Sequence, residues 1–343
     1  MKPSDLMVAL KAAFLAKEPV LIVSSPGLGK SSIVAQATAS LGYDLQISHP
    51  VTADPTDAKG LPWPNAKHTA ADFLPFGHLE RAINAPRPLV WFLDDLGQAL
   101  PAVQASFMQL ILAREVNGKK VSDFVIFVAA TNKRTDRAGV SGILEPVKSR
   151  FTTIIVLEED TPDWTNWAFE NNIDPRLIGF MQLRGDELLC NFQATADMTN
   201  SPVPRTWRNA SAVLDMTLPQ HIENEMLKGA VGEGAALELI AFLDMYKQLP
   251  SIQAILDDPD GQAIPENPSV LYAIATGLAR LTTTMNFDSV ARYTQRLVDT
   301  AHGEIAALLI LYAERQEPEI HNTPEFVELM SGELGQLVAG AVR

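Results

Sequence analysis

The chain has one cysteine, Cys190, in 343 residues. A lone thiol excludes an intramolecular disulfide and a cysteine cage around a metal, and it fits a reducing, cytoplasmic compartment. The six histidines (His49, His68, His78, His221, His302, His321) show no metal-ligand spacing. No G-x-S-x-G elbow and no Ser-His-Asp signature is present. No run of about 18 apolar residues occurs, so no membrane span is expected. The first residues lead into an amphipathic pattern and not into the apolar core of a signal peptide. Internal repeats and low-complexity segments are also missing.

What remains is an ordinary globular composition, 47% hydrophobic and 20% charged. At roughly 100–200 residues per domain the length suggests about two domains. The net charge of −14 is unevenly spread. Residues 1–150 hold 16 Lys and Arg against 13 Asp and Glu, and residues 151–343 hold 11 against 28. An acidic second half argues against a nucleic-acid-binding face there, while the first half leaves that role open. A solvated helical surface explains the acid equally simply.

Short apolar runs at 20–23, 43–48, 89–93, 124–130 and 153–157 alternate with helical patterns in the first half. That alternation predicts a parallel sheet with helices on both faces. Ser4 is a plausible N-cap for the first helix, and Gly42 a plausible stop for the second. Beyond Leu157 helical periodicity takes over, as in Trp207, Ala210, Leu214 and Leu271, Ile274, Leu278. The expected organisation is an α/β domain over 1–160, a helical lid over 161–230 and a helical extension over 231–343.

Ser24-Ser25-Pro26-Gly27-Leu28-Gly29-Lys30-Ser31 lies between a strand and a helix. It fits the P-loop pattern GxxxxGK[ST] except at its first position, where Ser24 replaces glycine. Gly27 and Gly29 let backbone N–H groups turn inward around phosphates, and the helix N-terminus adds partial positive charge. Lys30 would reach the β- and γ-phosphates of ATP, and the Ser31 hydroxyl would ligate Mg²⁺. Ser25, Pro26, Gly27, Leu28, Gly29, Lys30, Ser31 and Ser32 are therefore the expected nucleotide-binding residues. The competing reading is a glycine-rich turn without a ligand.

The apolar run Leu89-Val90-Trp91-Phe92-Leu93 ends in Asp94-Asp95. Asp94 at that strand end is expected beside Mg²⁺ as the Walker B acid, with Asp95 orienting or deprotonating the attacking water. Either could instead be a strand-end turn residue. Asn132, closing the next strand, could hydrogen-bond the γ-phosphate or the water, or serve as a turn former. Arg150, in Ser149-Arg150-Phe151, could stabilise charge on a transferring phosphoryl group, in cis or in trans, or be a solvated surface arginine.

Taken in order, these motifs resemble an AAA+ module, and within AAA+ they look like the MoxR family. The segment from Asp54 to Pro62, the run Leu93 to Ala99 with Val103-Gln104 and Leu112 to Val116, the segment Leu144 to Phe151, and Pro202 to Trp207 carry the resemblance. The matching motifs span residues 4–215. By matching position the resemblance implies sensor 1 at Asn132, a trans-acting arginine finger at Arg150 and sensor 2 at Arg205. It also implies a hexameric ring with ATP between subunits, chaperone-like work on a partner protein, and a partner bearing a von Willebrand factor A-type domain. Asp95 stands where that family has glutamate, which implies slow or partner-dependent hydrolysis. In related rings the segment at 60–79 and the hairpin around Asn117-Gly118 face a pore, so Trp63, Lys119 and Lys120 are expected to touch substrate. For Trp63 the alternative is an anchor holding its loop to the core. A nucleic-acid motor and a nucleotide-dependent scaffold stay open as other functions.

Overall fold

The computed structural model describes residues 1–136, 142–195, 197–247 and 251–341. The chain divides into two compact units. One is Met1–Asp160 with Phe192–Asp197, and the other is Thr161–Asn191 with Met198–Arg343.

The first unit is built on strands β1 (Val20–Ser24), β2 (Asp44–Ser48), β5 (Leu89–Leu93), β8 (Val125–Asn132) and β9 (Thr153–Val156). Two short antiparallel pairs complete its strands: β3 (Leu61–Pro64) with β4 (Ala71–Leu74), and β6 (Glu115–Val116) with β7 (Lys119–Lys120). The five main strands form one sheet in the order β2-β5-β8-β1-β9, parallel throughout. Every residue of β5 and β8 is buried, as a strand covered on both faces requires. Helices α1 (Pro3–Ala16), α2 (Lys30–Ser40), α3 (Pro55–Lys59), α4 (Gly77–Ile83), α5 (Pro101–Ala113) and α6 (Glu145–Lys148) flank the sheet, α1 against α2 and α3 against α4 and α5. The parallel sheet flanked by helices, followed by a helical part, is the fold class the sequence predicts.

The chain passes from β1 through α2 to the far edge at β2, then returns strand by strand to β8. This brings the C-terminal ends of β1, β5 and β8 side by side, where ligands bind in open α/β sheets. The order of strands places three chemically distinct segments there, each from a different part of the sequence.

Local details differ from expectation in three places. Helix α1 begins at Pro3, with Lys2 rather than Ser4 as N-cap, because proline's fixed φ and missing N–H suit the first helical position. The segment after α3 contains the β3–β4 pair, which the proline-rich sequence Leu61-Pro62-Trp63-Pro64 does not advertise as strand. Strand β8 runs on to Asn132. The Asn117-Gly118 turn forms as the sequence predicts, with both residues at positive φ (49° and 74°), as a type I′ hairpin demands.

The second unit is helical: α7 (Thr161–Glu170), α8 (Pro175–Leu188), α9 (Pro204–Leu214), α10 (Gln220–Val231), α11 (Glu233–Tyr246), α12 (Ile252–Asp257), α13 (Pro268–Leu281), α14 (Phe287–Asp299), α15 (Gly303–Gln316), α16 (Pro324–Ser331) and α17 (Glu333–Ala341). One buried core, from Trp164 to Val338, runs through it. Helices α8 and α13 meet at Gly179, where an added Cβ would sit 2.7 Å from the Ala273 backbone. The residues expected as lid and as extension share this core.

Candidate nucleotide site

Strand β1 delivers the chain to Ser24, which is fully buried, and the loop 25–29 turns it into α2. Gly27 and Gly29 hold φ of 82° and 89°. At Gly29 an added Cβ would meet nothing within 4 Å, so glycine is needed there for its backbone and not for space. Space left open over the loop, together with the first N–H groups of α2, makes a cradle for an anion. Ser25 and Pro26 are half-buried, Gly27 and Leu28 buried, and Ser32 exposed on the first turn of α2.

Lys30, the first residue of α2, is 7% exposed. Its Nζ donates to Asn132 Oδ1 at 2.6 Å, to Ser24 Oγ at 3.0 Å and to the Ser25 carbonyl at 3.4 Å. These three oxygens are neutral. A buried ammonium held at this point of the loop can donate to the oxygens of a bound anion. Ser31 Oγ donates to Asp94 Oδ2 at 2.7 Å. A hydroxyl and a carboxylate at that separation are the hard oxygen donors that Mg²⁺ takes.

Asp94 leaves the end of β5, where its N–H donates to the Ser48 carbonyl at 2.9 Å. Asp95 adopts left-handed φ (57°), and its N–H donates to Asp94 Oδ1 at 3.1 Å. That turn leaves the Asp94 carboxylate on Ser31. Gly97 in this turn lies against Thr131: a Cβ there would come within 2.1 Å of Thr131 Oγ1. The glycine thus lets the Asp94-Asp95 turn close on the strand end that carries Asn132. Sequence reading missed Gly97, and the signal for it was present as a glycine just after the paired aspartates.

The structure pairs Lys30 with Asn132 and its neighbour Ser31 with Asp94, with Asp95 adjoining Asp94. Arg150 lies just beyond α6, half-buried, with Nη1 donating to Ser149 Oγ at 3.2 Å and its buried Nε without a hydrogen-bond partner among the described residues. It is not one of the partners found for Lys30. Arg205 belongs to the second unit, exposed on the first turn of α9. Trp63 is 56% exposed on a strand whose four residues are all exposed, so it does not anchor its loop to the core. Lys119 is half-buried and Lys120 exposed on the β6–β7 hairpin, which Asn117 ties to the Lys59 carbonyl at 2.8 Å.

A second feature adjoins the end of β2. A cavity of about 410 Å³ is lined by Ser48, His49, Asp57, His78, Trp91 and Phe107, among others. Trp91 Nε1 donates to Ser48 Oγ at 2.8 Å, and Ser48 Oγ shares a 2.7 Å hydrogen bond with His78 Nδ1. Burial pulls the His78 imidazole below its ordinary range, with Arg81 and His49 adding and Asp57 opposing. Among the described residues no cluster of three or more His, Cys, Asp or Glu is arranged to hold a metal ion, and no helix is long and apolar enough to cross a membrane.

No family model matches the chain, and no curated protein matches it. Solved structures do. Thermotoga maritima RuvB, a Holliday junction branch migration motor, is 18% identical, with 80% of each chain covered and a TM-score of 0.39. Brucella abortus NtrX in complex with ADP is 13% identical, covering 97% of this chain and 68% of that one, with a TM-score of 0.40. The site has a geometry of its own. That geometry, a glycine-turned loop between the first strand and its helix on a five-stranded parallel sheet, defines the P-loop α/β class.

Proposed function

We propose that the chain is a Mg²⁺-dependent AAA+ ATPase, MoxR-like by its motifs, that couples ATP binding and hydrolysis to remodelling or activating a partner protein. The observation that carries the proposal is the convergence of Lys30, Ser31, Asp94 and Asn132 at the C-terminal ends of β1, β5 and β8. Lys30 binds the β- and γ-phosphates, and the N–H groups of the loop and of α2 surround them. Ser31 and Asp94 hold Mg²⁺, which when bound neutralises phosphate charge. Asn132 passes from Lys30 to the γ-phosphate or to the attacking water. Asp95 orients that water and takes its proton. Arg150, half-buried just beyond α6, serves a neighbouring subunit's nucleotide. Arg205 acts as sensor 2. The ring is a homohexamer, and the partner is a protein; the exposed Trp63 and the β6–β7 hairpin touch it.

The test is ATP hydrolysis by the purified chain, alone and with duplex or single-stranded DNA, alongside its assembly state with ATP and Mg²⁺. Hexamers whose turnover ignores nucleic acid support the reading. Turnover that rises steeply with DNA replaces it with a nucleic-acid motor, and Lys119 and Lys120 become the first residues to mutate.

One observation favours a second reading, a nucleotide-dependent scaffold with weak hydrolysis. Asp95 has a short carboxylate and a left-handed backbone at the position of the general base. In that case the assembled ring turns over little ATP, and Asp95→Glu raises the rate.

A further inference from the structure

Ser24 is the one residue of the loop that departs from the P-loop pattern, and the structure gives its side chain a definite place. We propose that Ser24 is a positioning residue that holds the Lys30 ammonium in the loop, aimed for the β- and γ-phosphates of a nucleoside triphosphate. The proposal rests on the ATPase reading above.

Four observations carry it. Ser24 is fully buried at the end of β1. Its backbone is fixed on the Asn132 side, because it pairs with Asn132 in register and its carbonyl accepts the Lys133 N–H at 3.0 Å. Its hydroxyl donates to the Ser25 carbonyl at 2.8 Å, which leaves the oxygen's lone pairs for Lys30 Nζ at 3.0 Å. Finally, Ser24 is not among the residues at positive φ, whereas Gly27 and Gly29 are, so a side chain here carries no backbone strain. Glycine is therefore not demanded at this position, and the serine adds an acceptor.

Ser24 Oγ and Asn132 Oδ1 grip one ammonium from two adjacent strands. Lysine has four rotatable bonds, and an ordered lysine loses little further freedom when phosphate arrives. Removing the hydroxyl leaves the ammonium short of one acceptor and lets it wander before binding. The effect belongs to nucleotide capture. At saturation the phosphates themselves hold Lys30.

The experiment compares wild-type chain with Ser24→Ala and Ser24→Gly, the latter restoring the P-loop pattern. Titration with Mg·ATP is expected to show roughly 3- to 10-fold weaker binding for both variants, the size of one side chain's ordering cost. KM for ATP should rise by a similar factor while kcat changes little. In the absence of nucleotide, thermal denaturation of Ser24→Ala, Lys30→Met and the double variant should be non-additive, with Ser24→Ala costing less once Lys30 is gone, since only the bond to the Ser25 carbonyl is then left to lose. Wild type that binds no nucleotide sinks the ATPase reading and this proposal with it. Wild type that binds while Ser24→Gly binds as tightly or more tightly sinks the Ser24 role alone. Additive denaturation effects also overturn it, because they show that Ser24 does not act through Lys30.

Discussion

The two units bury polar groups in different ways. In the sheet unit, buried polar side chains reach across the chain: Lys30 to Asn132, Ser31 to Asp94, Trp91 to Ser48. In the helical unit Trp207 and Ser211 make buried long-range bonds, to the Leu188 carbonyl and the Asp174 N–H, but the buried threonines of its later helices turn back on their own helices. Thr276 donates to the Tyr272 carbonyl, Thr282 to Leu278 and Thr294 to Val290, each four residues earlier. A local bond of that kind satisfies a hydroxyl without fixing one element against another. Long-range polar bonds are costly to leave unmade, and they are worth keeping where a charge must sit at a defined point. Charge follows the same division. Residues 1–160 hold 16 Lys and Arg and 16 Asp and Glu, while 161–343 hold 11 against 25. Of the residues proposed for the chemistry, all but Arg205 lie in the sheet unit, while the helical unit supplies mainly packing and an acidic surface.

The largest expected effect sharpens that assignment. Arg150→Ala should assemble normally and lower kcat by about 10³–10⁵, the usual loss for an arginine finger. Steady-state turnover of the assembled variant checks it, and an unchanged rate removes Arg150 from the machinery. Mixing it with Lys30→Met subunits distinguishes action in trans, since turnover then returns in mixed assemblies where a Lys30→Met subunit lends its Arg150 to the intact loop of its neighbour.

Next comes a change meant to break the comparison. Trp207 is fully buried in α9, its Nε1 donating to the Leu188 carbonyl at 2.9 Å and its ring 5.9 Å from that of Phe180. Trp207→Ala should destabilise the helical unit by about 3–5 kcal/mol, a cavity and a lost hydrogen bond together. Denaturation followed by circular dichroism reads the loss. Mg·ATP affinity, measured well below the melting temperature, should stay near wild type if packing and chemistry are divided as argued. Loss of binding in a still-folded variant would show that the helical unit contributes to nucleotide capture.

Gly97→Ala tests the join between two strand ends of the site. A Cβ 2.1 Å from Thr131 Oγ1 forces the Asp94-Asp95 turn and the Asn132 strand end apart, at a cost of about 1–3 kcal/mol. Thermal denaturation measures the cost. Turnover should fall by more than ATP binding does if Asp95 and Asn132 act at the γ-phosphate as proposed, since the loop itself is left in place.

How much of this was legible beforehand depended on the kind of signal. The P-loop, the Asp94 strand end and the Asn-Gly hairpin announce themselves because each needs particular residues at fixed offsets within a few positions. Strands β5 and β8 were readable because burial on both faces leaves continuous apolar runs. The β3–β4 pair was not, because two prolines and full exposure erase both the alternation and the apolar run that mark a strand. The Lys30–Asn132 and Gly97–Thr131 contacts were not legible either. They depend on strand order, which brings residues 102 and 34 positions apart together, and no local pattern encodes strand order.

The smallest effect concerns the pH dependence of the sheet unit. His78 opens α4, where its Nδ1 meets Ser48 Oγ and its carbonyl accepts Gln46 Nε2–H at 3.1 Å. Burial, aided by Arg81 and His49 and opposed by Asp57, lowers its pKa in the folded chain. The unfolded chain then binds a proton more readily, so stability rises with pH across this range. The contribution is fully present above the ordinary histidine pKa of about 6.5 and is lost as pH falls from there through the lowered folded value. Since Ser48 also accepts from Trp91 and its carbonyl accepts the Asp94 N–H, the strand ends of β2 and β5 should be among the first places to feel that protonation. Denaturation of wild type and His78→Asn between about pH 7.5 and 5 measures it. Wild type should lose more stability than the variant on the acid side. Parallel curves would mean that His78 titrates as it does in water, and that the Trp91–Ser48–His78 chain is packing rather than a sensor of charge.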